Sequence, residues 1–218
     1  MAKALLVMAG LAASAVPALA AQGIELAPFV GYRAGGSFVD RGGRELHLRN
    51  NVSFGAVADL DLRRDIGVEF VWSHEDSHLP TDPALLGTAS FDVKVDHWMV
   101  GAWKEFWAER PTVRPLISVL FGVTHFSSGT AETDARDRVV LAPGAGAEFF
   151  PFRRVGFRLD GRGYFVFTEG GSQVFCIPSG ACALLFKSDL MVQTDVALSV
   201  VFLLGRSRPP KARPRPDW

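Results

Sequence analysis

The chain has 218 residues, 48% of them hydrophobic, and its 23 basic residues balance its 23 acidic residues. This neutrality is not expected of a nucleic-acid-binding protein, and no shift in composition divides the chain into two domains. After the N-terminal twenty residues, no apolar run approaches the roughly 20 residues that a transmembrane helix needs.

The first twenty residues have the features of a secretory signal peptide. Lys3 precedes an apolar stretch at residues 4–16, and residues 18–20 form a small-x-small site for signal peptidase. A retained anchor helix is the alternative, but the stretch is shorter than the roughly 20 residues that span a bilayer. We therefore expect a signal peptide at 1–20 and an exported mature chain that begins at Ala21.

Apolar and polar residues alternate in eight segments of the mature chain, each long enough to cross a membrane as a tilted strand. The connections between them are alternately long and short, which is typical of outer-membrane barrels. A soluble β-sandwich is the alternative fold, but nothing in a sandwich requires its connections to alternate in length. We therefore predict an all-β fold over residues 21–204: an eight-stranded antiparallel transmembrane β-barrel, an up-and-down meander. The segments are 24–34, 52–62, 66–75, 92–106, 114–126, 138–150, 155–167 and 190–203.

The alternation also predicts which side chains face lipid. In the seventh segment Phe157 and Leu159 share one face, while Arg158 and Asp160 share the other. Lipid-facing positions must be apolar, so the charged face is expected to line the interior. In the fourth segment both faces are mixed, and its inward face stays open.

Ten ionisable residues fall on predicted inward faces. The interior of an eight-stranded barrel is just wide enough for side chains to fill it, and an unpaired buried charge costs several kcal/mol. We therefore expect ion pairs that occlude the lumen, with a narrow ion channel as the alternative. The ten are Glu25, Arg33, Asp59, Asp61, Glu69, Glu148, Arg158, Asp160, Arg162 and Asp195.

A polar cluster, His74, Glu75, Asp76 and His78, lies where the third segment enters a long loop. Such side chains suit a divalent cation, but an i, i+4 spacing suits a helix rather than a strand. A solvated loop face is favoured, and no metal site or cofactor is expected. Residues across the second loop that could meet this cluster are Asp92, Lys94, Asp96 and His97.

His125 and Ser127 lie two residues apart, so on a strand their side chains share one face. This pair resembles the His-x-Ser motif of outer-membrane lipid A deacylases, which implies His125 as base and Ser127 as nucleophile, with Glu132 or Glu75 as the acid. The family's motif lies near its C-terminus, however, and this one does not. A polar strand end is the favoured interpretation, and a lipid A hydrolase is the alternative.

Cys176 and Cys182 lie close together in the last long loop. Two cysteines in an exported chain predict a disulfide. Free thiols are the alternative, and a metal site would need ligands that the neighbouring sequence lacks.

The last fourteen residues, 205–218, contain four prolines and five basic residues. Such a segment cannot pair in a sheet. Because an even number of strands returns both ends of the chain to one side, the segment is expected to be a periplasmic tail.

Short motifs follow one another along the mature chain: APFVGYR at 27–33, Arg114-Pro115, Gly144 and Gly146 before EFF at 148–150, GRGY at 161–164, and the two loop cysteines. Their order resembles the small proteobacterial outer-membrane β-barrel proteins related to the OmpA-type transmembrane domain. In that family the last strand usually ends the chain at an aromatic residue, whereas here Phe202 is followed by sixteen residues.

This resemblance implies a protein of the bacterial outer membrane without an assigned activity. We therefore expect a non-enzymatic structural or interaction protein, monomeric, in contact with outer-membrane lipids and lipopolysaccharide. Disulfide-tied extracellular loops would meet a partner that the sequence does not identify.

Overall fold

The computed structural model describes residues 23–40, 43, 45–63, 65–80, 90–106, 113–128, 136–168, 173–176, 182–186 and 188–204. The predicted signal peptide and C-terminal tail lie outside these residues. The strands are β1 (Ile24–Gly35), β2 (Ser37–Asp40), β3 (Glu45–His47), β4 (Asn51–Arg63), β5 (Ile66–Pro80), β6 (Ser90–Glu105), β7 (Val113–Ser128), β8 (Arg136–Phe149), β9 (Val155–Phe167), β10 (Gln173–Cys176), β11 (Cys182–Phe186) and β12 (Leu190–Leu204).

Eight of these strands form a closed antiparallel barrel in the order β1-β12-β9-β8-β7-β6-β5-β4. Each barrel strand pairs with the barrel strands before and after it in the chain, and β1 pairs with β12 to close the ring. The predicted eight-stranded meander is confirmed. Short turns face the periplasm in such barrels, so the end that carries Ile24 and Leu204 is the periplasmic end.

The four remaining strands form a second sheet, in the order β10-β11-β2-β3. They come from the first and last long connections, which the sequence analysis treated as loops. Leu185 of β11 pairs with Val39 of β2, so this sheet joins two connections that are distant in the chain. These connections leave the barrel at its extracellular end.

The outer surface of the barrel is apolar. Along β12 the side chains alternate between buried and exposed, with Val196 and Leu198 facing outward. The open question about β6 is resolved: Met99 and Trp103 are buried, whereas Trp98 is 52% exposed. Among the described residues, no helix is long and apolar enough to cross a bilayer.

An inward-facing glycine makes room for the charged interior. A Cβ atom at Gly31 would lie 2.5 Å from Asp195 Oδ1 and 2.6 Å from Ser53 Oγ. Gly146 stands in the same relation to Asp160. A side chain at either position would displace a buried carboxylate.

The apolar outer surface predicts that a charged side chain lowers the stability of the barrel more strongly the deeper it lies in the membrane. We expect Leu198→Arg, near the middle of β12, to lower the free energy of unfolding by about 2 to 4 kcal/mol, because lipid solvates the cation poorly. Urea titration of the protein in vesicles measures this change. Leu190→Arg, at the extracellular end of the same strand, is the matched control and should cost about 1 kcal/mol or less. Equal costs at the two positions would contradict a lipid-facing belt.

Candidate functional site

The barrel interior holds all ten charged residues that the sequence analysis assigned to it, and each of them is buried. They fall into a periplasmic group around Arg158 and an extracellular group around Arg33. Buried apolar side chains, including Val57, Val71 and Met99, lie on the strands between the two groups.

Arg158, on β9, is the centre of the periplasmic group. Its Nη1 donates to Asp59 Oδ2 at 2.7 Å, and its Nη2 donates to Glu69 Oε2 at 2.6 Å. Its Nε lies 2.7 Å from Asp160 Oδ2, and Glu148 is 3.8 Å away. One guanidinium thus serves four carboxylates from β4, β5, β8 and β9, which ties opposite walls of the barrel together.

Arg162 extends the periplasmic group toward the centre of the barrel. Its Nη2 donates to the second oxygen of Glu69, Oε1, at 2.8 Å. Glu69 therefore accepts from two arginines, one at each carboxylate oxygen. Charge-assisted pairs of this kind are the strong hydrogen bonds of protein interiors.

Arg33, on β1, is the centre of the extracellular group. Its Nε and Nη2 lie 3.0 and 2.9 Å from Asp195 Oδ2, and Glu75 is 3.7 Å from its Nη1. The guanidinium also bonds Ser73 and lies over the Tyr164 ring at 4.5 Å. Asp195 accepts a further bond of 2.7 Å from the Ser53 hydroxyl.

Two residues of this group were not among the ten. Glu75 continues the inward series of β5 after Glu69 and Ser73, so the alternation itself could have assigned it. His97 is fully buried, stacks on Tyr164 at 4.4 Å between ring centroids, and has Thr124 as the partner of its Nδ1 at 2.8 Å. The sequence did not assign His97 to the interior because both faces of β6 carry a mixture of polar and apolar residues.

An aromatic cluster covers the extracellular end of the lumen. Phe38 of β2, Phe126 of β7 and Phe186 of β11 are buried, with ring centroids 5.5 to 6.2 Å apart. Arg138 lies over the Phe186 ring at 5.3 Å. The two long connections that form the second sheet therefore fold back onto the mouth of the barrel.

Among the described catalytic candidates, Glu75 is separated from His125 and Ser127 by the barrel wall. His125 is on the outer face of β7, where its Nδ1 lies 2.7 Å from Asp137 Oδ1. Glu75 faces the opposite side of the barrel wall, in the lumen with Arg33. Ser127 shares the outer face with His125, and Glu132 lies outside the described residues.

The polar cluster at the end of β5 also divides between the two faces. His74 pairs with Asp96 at 2.7 Å and His78 pairs with Asp92 at 2.6 Å, each across to β6 on the outer surface. His97 points into the lumen instead. The described side chains of this cluster form His–Asp pairs, and no three metal-ligating groups of the cluster come within reach of one ion.

Cys176 and Cys182 are register partners of β10 and β11. Cross-strand partners in an antiparallel pair have Cα atoms about 4.5 to 5.5 Å apart. This separation lies within the range that a disulfide spans. The backbone therefore permits the predicted bond.

The ion pairs of Arg158 predict a large loss of stability when its charge is removed. We expect Arg158→Ala to lower the free energy of unfolding by about 3 kcal/mol or more, because it leaves buried carboxylates without their cation. Chemical denaturation in micelles measures the loss. Arg153→Ala, at an exposed turn position, is the control and should change stability by less than about 0.5 kcal/mol. An Arg158→Ala variant as stable as the parent would contradict a structural role for these pairs.

No protein-family model and no curated protein sequence matches the chain. Several solved structures are similar to it, among them the following two. Neisserial surface protein A has a TM-score of 0.56 at 10% identity, over 82% of this chain and 96% of that chain. AlkL in lipid bilayers of DMPC has a TM-score of 0.56 at 14% identity, over 86% and 93% of the two chains.

At such low identity these likenesses concern the fold. They agree with the fold that the resemblance to OmpA-type barrels implied, and with the predicted location in the outer membrane. The chain has the fold of the small eight-stranded β-barrels of bacterial outer membranes.

Proposed function

We propose that the chain is a non-enzymatic outer-membrane protein with an occluded interior, which displays a folded loop cap at the cell surface. We call the second sheet, β10-β11-β2-β3, the cap. The observation that carries this proposal is the filling of the lumen at three levels, by the Arg158 group, the Arg33 group and the aromatic cluster. In this proposal residues 1–20 are removed on export and residues 205–218 lie in the periplasm as a tail.

The filling of the lumen supports a structural role rather than transport. Eight strands enclose a space that side chains just fill. Arg158 reaches carboxylates on β4 and β5, and Arg33 reaches Glu75 on β5 as well as Asp195 on its neighbour β12, so both side chains extend into the lumen. Moving either of them aside to admit an ion would break several charge-assisted bonds at once, which makes a standing aqueous path unfavourable.

The outer surface suits contact with lipids of the outer leaflet, including lipopolysaccharide. Phe54, Trp72 and Trp98 form a continuous aromatic surface on β4, β5 and β6, with ring centroids 6.1 and 5.9 Å apart. Aromatic rings of this kind mark the membrane interface in barrels. The pairs of His74 with Asp96 and of His125 with Asp137 lie beyond Trp72 and Trp98, toward the extracellular end, where polar headgroups would meet them.

The cap suits a role in interaction at the cell surface. Its strands come from two connections that are far apart in the sequence and pair with each other in one sheet. Phe38 and Phe186 pack together and anchor this sheet on the barrel. A disulfide between Cys176 and Cys182 would hold the β10–β11 hairpin in this arrangement. A pre-organised surface loses less conformational entropy when it binds a partner than a mobile loop does.

The occluded interior predicts no steady conductance. Planar bilayer recordings of the purified protein should show no stable open level, because side chains fill the axis. The double variant Arg158→Ala/Glu69→Ala removes two of these side chains and is the comparison in which current could appear. An open level that recurs in the parent protein would support the ion-channel alternative instead.

The cysteine pairing predicts a bond that closes a short loop. Alkylation of the unfolded, unreduced protein should modify neither Cys176 nor Cys182, and alkylation after reduction should modify both, as mass spectrometry would show. Closing a loop this short contributes about 2 kcal/mol to the stability of the hairpin in the entropy model. Labelling of both thiols before reduction would refute the pairing. The double variant Cys176→Ser/Cys182→Ser should still form the barrel, because the pairing of β1 with β12 does not involve either residue.

A further inference from the structure

A small cavity lies inside the periplasmic end of the barrel, below the Arg158 group. It is lined by two apolar side chains, Trp103 and Leu116, and by four carboxylates: Glu25, Asp59, Glu105 and Glu148. The space accommodates about one water-sized sphere. An organic ligand or a guanidinium group is too large for such a space, whereas a single ion fits it.

Three of these carboxylates converge on one point. Glu25 and Asp59 are direct cross-strand partners on β1 and β4, and Glu148 reaches them from β8. One oxygen from each lies within 4.8 Å of the other two, and all three side chains are buried. Oxygens that bind the same Ca²⁺ at 2.3 to 2.6 Å can be no more than about 5 Å apart, so this spacing matches a shared cation.

Arg158 is shared by several carboxylates at this end of the barrel. Arg158 contacts Asp59 and Glu148, but it also pairs with Glu69 and Asp160. A single positive charge is therefore divided among four carboxylates. Arg162 adds its charge at Glu69, on the far side of Arg158 from the cavity.

Asp59 provides a second, separate indication of a ligand. Its Oδ2 accepts from Arg158, whereas its Oδ1 is buried and accepts no hydrogen bond among the described residues. Asp59 also lines the cavity. A buried carboxylate oxygen left without a donor costs free energy, and a cation in the cavity would supply the missing partner.

We propose that the carboxylates of Glu25, Asp59 and Glu148 bind one divalent cation of the oxygen-preferring class, Ca²⁺ or Mg²⁺. Water and Glu105 complete its coordination, since such ions take six or more oxygen ligands. The cation links β1, β4 and β8. This site differs from the His–Asp pairs, which lie on the outer surface at the other end of the barrel.

Terbium luminescence and unfolding with and without Ca²⁺ test the site together. Tb³⁺ replaces Ca²⁺ in oxygen sites and emits when a nearby tryptophan is excited, and Trp103 lines this cavity. The mature protein, folded in a zwitterionic detergent free of lipopolysaccharide, is titrated with Tb³⁺ and then with Ca²⁺ or Mg²⁺ as competitor. Urea unfolding is measured in EDTA and in added Ca²⁺ or Mg²⁺.

Asp59→Asn and Glu148→Gln are the test variants, Trp103→Phe locates the emission, and Asp137→Asn removes an exposed carboxylate as the matched control. Glu148 lies 3.8 Å from Arg158 Nη1, whereas Asp59 lies 2.7 Å from it, so Glu148→Gln removes the longer of the two contacts and still reports if Asp59→Asn fails to fold. Heat-dependent mobility on a gel checks the folding of each variant.

We expect Tb³⁺ emission that saturates at one ion per protein, falls in Trp103→Phe and is displaced by Ca²⁺ or Mg²⁺. At 100 times its Kd the displacing cation should raise the folded-to-unfolded ratio about 100-fold. Both effects should be lost in Glu148→Gln and kept in Asp137→Asn. A parent protein whose urea midpoint neither cation moves, or a shift of equal size in Glu148→Gln, would overturn the proposal and leave shared protons as the explanation of the cluster.

Discussion

Closure of the sheet between β1 and β12 is the constraint on which the rest of this structure depends. Hydrocarbon offers no hydrogen-bond partner, so an open strand edge in the membrane would leave each backbone group unsatisfied at a cost of several kcal/mol. The ring of eight strands removes every edge. It also makes the interior narrow. The side chains at every second position of each strand fill that interior.

The interior that results is polar and yet closely filled. Arg158 and Arg33 supply long side chains that extend into the space, and they contact carboxylates on several strands. Gly31 faces inward at a position where a carboxylate and a hydroxyl already occupy the volume that a side chain would need. Apolar side chains could fill the same space, but ion pairs also fix the orientation of their partners. The planar fork of guanidinium N–H groups bonds a carboxylate in only a few geometries.

The strands were predictable because lipid demands an apolar side chain at every second position. The alternation of β9 predicts its bounds and its inward arginines, whereas β6 has Trp98 outside and Trp103 inside, so its face became evident only from packing. The cap escaped prediction because strands of three to five residues pair across a long sequence separation. Glu25, Asp59 and Glu148 lie far apart in the sequence, and only the register of three strands brings them together.

The pairing of Arg33 with Asp195 has a consequence for assembly, because these two residues are register partners across the seam where the first and last strands meet. A slip of one residue would turn the apolar face of β12 inward. A slip of two would keep the faces but put Gln193 or Ala197 opposite Arg33. Either error leaves a buried charge opposite an uncharged residue, so the ion pair favours the native register where the first and last strands meet.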